Sequence, residues 1–403
     1  FMTSRRGSGA WIRYGGALSE DELAFAADHY RAAILQPWET GAAARLKDMR
    51  EDMVVLAYKC LSSVRDFEPA ERRASGLSAG EARRGGWLAR RASGNTIEWS
   101  TYSGHYQMRV WDEAYRRRWT ERVLEAMVGT AFDGVMADND VFEDYYGIDL
   151  PDLDPADASA PRSAAGLRAA LSELVDDAGR ALNGEGLLLV PNIAEARREP
   201  GRWRHHASWG GGFDECWLGW GDDSFFSENT ALAQVSQLNG PGLSIVRTPS
   251  GGFGPRFDRS PSALYGLAAF WVFGGGPDYV RTSADPGPGR SSWSGTASPS
   301  LPRGAALRAY AATGADDYSR AAWFPALDAD LGAPLGSVVT SGDAWRRDFE
   351  GGVAAVVLDG NRNGTVRLPD GLRAPGPTGR PDGEPLGRKV RLSPHRGLIA
   401  LRP

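Results

Sequence analysis

Short apolar runs recur along the first 280 residues of the chain, and stretches with helical periodicity separate them. Eight such runs stand out, at residues 11–14, 32–35, 53–58, 132–137, 186–190, 213–217, 243–246 and 277–280. Their apolar positions mostly do not alternate with polar ones, which is typical of strands buried on both faces. We therefore predict eight strands of a parallel sheet.

Helical patterns fill the gaps between these runs. The clearest begins with the capping box Ser19-Glu20-Asp21-Glu22. Five further helices are predicted at residues 42–49, 112–128, 164–182, 228–238 and 260–272. Alternating strands and helices indicate the α/β class, and eight units over about 280 residues favour a closed (β/α)8 TIM barrel. No G-x-G-x-x-G follows the first strand, which argues against a dinucleotide-binding fold.

The pattern changes after about residue 284. Residues 285–304 are rich in Pro, Gly and Ser, as expected of a loop or linker, and a short helix is predicted over residues 305–312. Four β-rich runs follow, which we interpret as hairpins of a small antiparallel domain, at residues 353–358, 365–368, 390–392 and 398–401. We place the barrel at residues 9–315 and a β-sandwich-like domain at residues 323–403.

Composition and charge argue against several classes of protein. The chain has 403 residues, of which 42% are hydrophobic and 24% charged, so a folded globular protein is expected. A net charge of −5 argues against a general nucleic-acid binder, and no apolar run approaches the roughly 20 residues of a membrane span. Two cysteines, Cys60 and Cys216, are too few for a disulfide scaffold or a Cys-based metal site. We expect no cofactor and no metal, and the oligomeric state stays open.

The first nine residues are polar and lack the pattern of a signal peptide. These residues are compatible with the N-terminus of a processed, exported protein and with that of a cytoplasmic protein. We expect a secreted or cell-surface location, with the cytoplasm as the alternative.

Polar and aromatic side chains follow the predicted strands at their carboxyl ends, where barrel enzymes carry their active sites. The long insert between the third and fourth strands contains an aromatic stretch at residues 99–106, and a loop as long as this insert commonly contacts substrate. Four tryptophans have flat faces suited to stacking on sugar rings, namely Trp38, Trp99, Trp217 and Trp220. The substrate-binding candidates are Tyr14, Gln36, Trp38, Lys59, His105, Asn139, Asp140, Asn192, Trp217, Arg247 and Arg281.

Two carboxylates at the ends of different strands match the needs of glycosidic bond cleavage. One carboxyl group protonates the leaving oxygen, and the other attacks the anomeric carbon or activates water. Asp138 follows the fourth strand and Glu215 lies on the sixth. Asp140 and Glu195 are the alternatives to this pair, and Asp214 is expected to point away from Glu215 because successive strand residues face opposite sides.

Both carboxylates also have plain structural interpretations. Asp138 would then cap the loop after its strand, and Glu215 would be the buried partner of an arginine such as Arg247. The sequence leaves these interpretations open.

Three segments of the chain resemble a known family. Phe132-Asp133-Gly134-Val135-Met136-Ala137-Asp138-Asn139, the segment Gly212-Phe213-Asp214-Glu215 and the segment Trp345–Val353 are similar to signatures of the actinobacterial hypothetical glycosyl hydrolase-like family 15. That family looks related to α-galactosidase-type barrels. The resemblance implies a catalytic (β/α)8 barrel, with Asp138 as nucleophile and Glu215 as acid/base. Met136 stands where α-galactosidases have lysine, and Glu215 where they have aspartate, so the sugar and the stereochemistry stay open.

We therefore expect a glycoside hydrolase that cleaves O-glycosidic bonds of an oligo- or polysaccharide. Its expected partner is this carbohydrate substrate, with no nucleic acid. The expected mechanism is retaining. One alternative is a sugar-phosphate lyase or aldolase that uses Lys59 and the glycines of residues 251–254. The other is a non-catalytic carbohydrate-binding barrel.

Overall fold

A closed barrel of eight parallel strands forms the larger part of the molecule. The computed structural model describes residues 7–403 except 70, 142, 194, 222–223, 239–241, 250–260, 277–307, 314–317 and 320–322. The strands neighbour one another in chain order, and the last pairs with the first. They are β1 (Gly9–Arg13), β2 (Tyr30–Leu35), β3 (Val54–Cys60), β4 (Gly134–Asp140), β5 (Leu188–Ile193), β6 (Gly211–Asp214), β7 (Leu243–Pro249) and β8 (Arg308–Thr313). The predicted TIM barrel is confirmed.

Helices occur at the six places predicted between the first eight apolar runs. At the start of the first, the Ser19 hydroxyl accepts from the Glu22 main-chain N–H and the Glu22 carboxylate accepts from the Ser19 N–H, so the capping box is present. Two further short helices were not predicted. In chain order the helices are α1 (Glu20–His29), α2 (Thr40–Met49), α3 (Ala79–Gly85), α4 (Glu113–Met127), α5 (Ala164–Gly184), α6 (Arg202–His206), α7 (Glu228–Gln237) and α8 (Pro261–Gly274). None of these described helices is long and apolar enough to cross a bilayer.

The eighth strand corrects the sequence-based prediction. The run at residues 277–280 lies outside the described residues, and β8 occupies most of the segment predicted as a helix over residues 305–312. Alanines at residues 309, 311 and 312 favour a helix locally. Pairing overrides this preference, because Ala309 and Ala311 lie opposite Ile245 and Arg247 of β7, and Tyr310 pairs with Gly9 of β1.

An antiparallel sheet follows the barrel. Its order is β9 (Val339–Ser341), β10 (Ala344–Phe349), β11 (Gly352–Val357) and β14 (Arg396–Leu401), and β12 (Gly364–Arg367) pairs with β13 (Lys389–Leu392) in a separate ribbon. The runs at residues 353–358 and 365–368 therefore do not form the predicted hairpin with each other.

The sheet packs on the outer layer of the barrel through helix α8. Trp271 of α8 meets Phe349 of β10 edge-to-face, with ring centroids 5.3 Å apart. Both belong to one buried hydrophobic cluster. The last described barrel strand ends at Thr313 and the sheet begins at Val339, so the domain limits 9–315 and 323–403 stay predictions.

Strand alternation divides the barrel residues between two environments. In β3, Leu56 and Tyr58 belong to the cluster inside the barrel, whereas Val55 and Ala57 belong to the cluster between the strands and the helices. The other strands follow the same rule, and apolar side chains fill the barrel interior. Open space is therefore found where the strands end.

Candidate active site

A cavity of about 500 Å³ opens at the carboxyl ends of the strands; we call it the main cavity. Its floor consists of side chains that continue the inward-facing positions of successive strands. Six of them carry polar groups, namely Tyr14, Gln36, Tyr58, Asp138, Glu215 and Arg247. The structure therefore brings the two predicted catalytic carboxylates together over one cavity.

Asp138 is held by three hydrogen-bond donors. The Tyr58 hydroxyl donates to Oδ2 at 2.6 Å. The Asn139 main-chain N–H and the Asn192 amide nitrogen both donate to Oδ1 at 2.9 Å. The Arg65 guanidinium in turn donates to the Tyr58 hydroxyl at 2.9 Å. These contacts fix the orientation of the carboxylate at the end of β4.

A bulge in β4 creates this arrangement. Ala137 lies opposite Pro191 and Asp140 lies opposite Ile193, so β4 has one residue more than β5 over this interval. Asn139 takes up the extra length with a φ of 67°, in the left-handed region. Asp138 thus stays inward, while Asp140 turns to the layer between the strands and the helices.

Glu215 has an environment unlike that of Asp138. Burial, and then the nearby charge of Asp138, raise the pKa of Glu215 to about 7, although Arg247 and a hydrogen bond from Asn192 act in the opposite direction. Arg247 also donates from Nη1 to the main-chain carbonyl of Glu215 at 3.2 Å. At neutral pH a large fraction of Glu215 therefore carries a proton.

Aromatic rings form one wall of the main cavity. Trp99 stacks on Tyr146 with ring centroids 4.1 Å apart, and His105 stacks on Trp99 at 5.8 Å. Trp220 lies at the rim and is 51% exposed. Trp99 is buried among its neighbours, so Trp220 offers the exposed flat face that suits a sugar ring.

A second space, which we call the side chamber, adjoins the main cavity. Its volume is about 310 Å³, and the two spaces share Asn139, Tyr146, Glu215, Cys216 and Trp220 as lining residues. Asn192, Glu195 and Asp214 line the side chamber but not the main cavity.

Comparison with known proteins identifies the family. The model of hypothetical glycosyl hydrolase family 15 matches residues 47–353, from helix α2 through the barrel to the first strands of the antiparallel sheet. This chain belongs to hypothetical glycosyl hydrolase family 15. The family and the cavity together support a glycoside hydrolase. No curated protein matches the chain in sequence.

Several solved structures resemble this family 15 protein at low identity. Aspergillus fumigatus Ega3 in complex with galactosamine is 12% identical over 73% of this chain and 92% of that chain, with a TM-score of 0.37. The α-amylase from Geobacillus thermoleovorans complexed with acarbose is 10% identical over 97% of both chains, with a TM-score of 0.45. The cycloalternan-forming enzyme from Listeria monocytogenes is 9% identical over 98% of this chain and 41% of that chain, with a TM-score of 0.49.

Two substrate-binding candidates of the family 15 protein lie away from the main cavity. Lys59 follows Ala57 on the outward side of β3, and its ammonium group donates to the Arg73 carbonyl at 2.9 Å. Burial lowers the pKa of Lys59 to about 8. With Trp38, it lines a separate space of about 100 Å³. Position at a strand end therefore does not by itself bring a side chain to the main cavity, and substrate contact by these two residues stays a prediction.

Two more candidates have structural surroundings. Trp217 is fully buried, and its indole N–H donates to the Gly266 carbonyl at 3.0 Å. Asp140 is fully buried in an ion pair with Arg202 and a short hydrogen bond to His206. Neither lines the main cavity or the side chamber.

Most of the remaining substrate-binding candidates line the main cavity or the side chamber. Tyr14, Gln36, His105, Asn139 and Arg247 line the main cavity, and Asn192 lines the side chamber. Arg281 and residues 251–254 lie outside the described residues.

Three further residues line the main cavity and were not among the candidates from the sequence, namely Tyr58, Arg65 and Tyr146. Alternation along β3 was a usable signal for Tyr58, because it shares an inward face with Leu56. Tyr146 lies in a segment without strand or helix periodicity, and its hydroxyl donates to the Asn139 side-chain oxygen at 2.9 Å. No sequence pattern indicated that contact.

Proposed function

We propose that this protein is a retaining glycoside hydrolase in which Asp138 is the nucleophile and Glu215 is the acid/base. The observation that carries the proposal is that the two carboxyl groups line one cavity in unequal surroundings. Three donors orient Asp138, whereas Glu215 has a pKa raised to about 7. A pair that differs in this way matches the division of work in glycoside hydrolysis.

In the first step, Asp138 attacks the anomeric carbon while Glu215 gives its proton to the leaving oxygen. The glycosidic C–O bond breaks, and a glycosyl ester forms on Asp138. Esterification removes the negative charge of Asp138, which is one of the causes that raise the pKa of Glu215. Glu215 then stays deprotonated more readily and takes a proton from the water that hydrolyses the ester.

The surroundings of Lys59 weigh against the aldolase alternative. A Schiff-base lysine must meet a carbonyl carbon of the substrate. The Lys59 amine is buried, bonded to the Arg73 carbonyl, and borders a space of only about 100 Å³. A screen for turnover distinguishes the proposal from the alternative of a non-catalytic sugar-binding barrel.

The test is a screen of nitrophenyl glycosides and of oligo- and polysaccharides, read out by released nitrophenol or reducing sugar. We expect turnover that falls by several orders of magnitude in Asp138→Asn and in Glu215→Gln. Asp133→Asn is the matched control, because Asp133 pairs with Lys47 at the opposite end of the barrel. Sugar binding without turnover would favour the binding barrel, and wild-type turnover in Asp138→Asn would reject the proposed nucleophile.

A further inference from the structure

The side chamber touches only one member of the catalytic pair. Glu215 lines both spaces, whereas Asp138 lines only the main cavity. A nucleophile must contact the sugar that it attacks, and an acid must contact the oxygen between that sugar and the leaving group. The main cavity therefore suits the attacked sugar, and the side chamber suits the leaving unit.

Carboxylates dominate the charges around the side chamber. Among its described lining residues, Glu195, Asp214 and Glu215 carry carboxyl groups, and Arg197 carries the one guanidinium. Arg197 is already engaged, since it pairs with Glu195 at 2.8 Å and lies over the Phe226 ring at 4.5 Å from the centroid.

Asp214 is a buried carboxyl group with neutral hydrogen-bond donors. It is 8% exposed, and it accepts from the Cys216 main-chain N–H at 3.0 Å and from the Gln234 amide at 2.8 Å. Burial raises its pKa to about 6, although the hydrogen bonds from Cys216 and Gln234, and then the charge of Arg197, act in the opposite direction. A cation beside Asp214 would remove much of this burial cost.

Asn192 supplies a second, independent acceptor. The residue is 3% exposed, and its side-chain oxygen has no donor among the described residues. Its amide nitrogen already donates to Asp138. The side chamber is thus lined by Asn192, whose buried oxygen needs an N–H or O–H donor, and by Asp214, whose carboxylate is hydrogen-bonded by neutral groups.

We propose that the side chamber binds a sugar unit that carries a positively charged amino group, with the ammonium directed at Asp214. An ammonium group offers three donors and a positive charge, which match the carboxylate of Asp214 and the acceptor oxygen of Asn192, two residues that line the chamber. The binding of this amino sugar by the side chamber is independent of the proposed hydrolysis. Its role as the leaving unit rests on the proposed hydrolysis.

The test compares amino sugars with their neutral counterparts. Glucosamine and galactosamine are titrated against the protein at about pH 7, where a carboxyl group with a pKa near 6 is mostly ionised, with glucose, galactose and N-acetylglucosamine as controls. Binding is followed by calorimetry and by tryptophan fluorescence, since Trp220 lines the chamber. We expect at least one amino sugar to bind about tenfold more tightly than its neutral counterpart, as a charge-assisted hydrogen bond predicts.

Matched variants locate the bound ammonium. Asp214→Asn removes a carboxylate of the side chamber, and Asp138→Asn removes one of the main cavity. The preference for the amino sugar should disappear in Asp214→Asn and persist in Asp138→Asn. Equal binding of charged and neutral sugars, the absence of any binding, or a preference lost only in Asp138→Asn would overturn the proposal.

A second measurement covers the case in which Asp214→Asn does not fold. A crystal of the wild-type protein soaked in the preferred amino sugar should show its nitrogen within hydrogen-bond distance of the Asp214 carboxylate. A sugar bound elsewhere would overturn the proposal. Failure of the proposed hydrolysis is a separate result, because it would appear as absent turnover while the Asp214-dependent preference remained.

Discussion

The Tyr58 hydroxyl donates a 2.6 Å hydrogen bond to Oδ2 of Asp138. Tyr58 also receives a hydrogen bond from Arg65, so a chain of donors ends on the proposed nucleophile. Burial and the charge of Asp138 raise the pKa of Tyr58, and its hydroxyl therefore remains a donor throughout the neutral range. This contact positions the carboxylate without itself touching the reacting bond.

Tyr58→Phe should lower kcat roughly 10- to 100-fold. Hydrogen bonds to charged groups contribute about 1.5–3 kcal/mol, and a tenfold change in rate corresponds to about 1.4 kcal/mol. Steady-state kinetics on the substrate found by the screen measures the effect. Tyr115→Phe is the control, because its hydroxyl bonds to the Leu61 carbonyl away from the main cavity. Equal losses in the two variants would show a general packing effect instead.

The activity should decline as the pH rises through about 7. Glu215 must be protonated to assist the leaving group, and its pKa is raised to about 7. Arg247 lowers that pKa, so Arg247→Gln should move the decline toward higher pH. Profiles of kcat/KM against pH for the two proteins test this. A decline at the same pH in both proteins would show that Arg247 does not affect the pKa of Glu215.

Glu215→Gln should stabilise the fold at high pH while abolishing turnover. A carboxyl group whose pKa is raised on folding is favourable to the folded state when protonated, and it destabilises that state increasingly as pH rises from its ordinary value through about 7. The glutamine carries no charge to bury. Urea unfolding at pH 8 and at pH 4.5 should show a gain of the order of 1 kcal/mol or more at the higher pH, shrinking toward the lower. A gain independent of pH would contradict this cause.

Trp220→Ala should raise KM about tenfold and leave kcat nearly unchanged. The ring lines both the main cavity and the side chamber, and it is 51% exposed, so its removal costs the fold little. Stacking of an aromatic ring contributes about 0.5–1.5 kcal/mol beyond buried area. Kinetics on an oligosaccharide measures the change. A fall in kcat at constant KM would instead place the ring near the transition state.

The barrel was predictable because its strands and helices repeat a strong local pattern. The eighth strand was not, since the alanines of residues 308–313 favour a helix until pairing with β1 and β7 fixes them as a strand. The error shows that local preference fails where small residues are equally compatible with both structures.

The candidate site was predictable only in part. Asp138 and Glu215 were proposed because acidic residues at strand ends carry a recognisable chemistry, and both line one cavity in the structure, while their catalytic roles stay proposals. Lys59 was misplaced although strand alternation puts it on the outer face. Asp140 was misplaced for a different reason, because the bulge at Asn139 reverses the direction that alternation predicts.

The most direct test of the central claim is mass spectrometry of the protein after reaction with a 2-deoxy-2-fluoro glycoside of the sugar that the screen identifies. Such a substrate slows both steps and, with a good leaving group, allows the glycosyl ester of a retaining enzyme to accumulate. We expect a mass increase of one fluorosugar, located on the peptide that contains Asp138 and absent in Asp138→Asn. An adduct on another carboxylate, or hydrolysis of the natural substrate with inversion at the anomeric carbon, would show that Asp138 is not the nucleophile of a retaining enzyme.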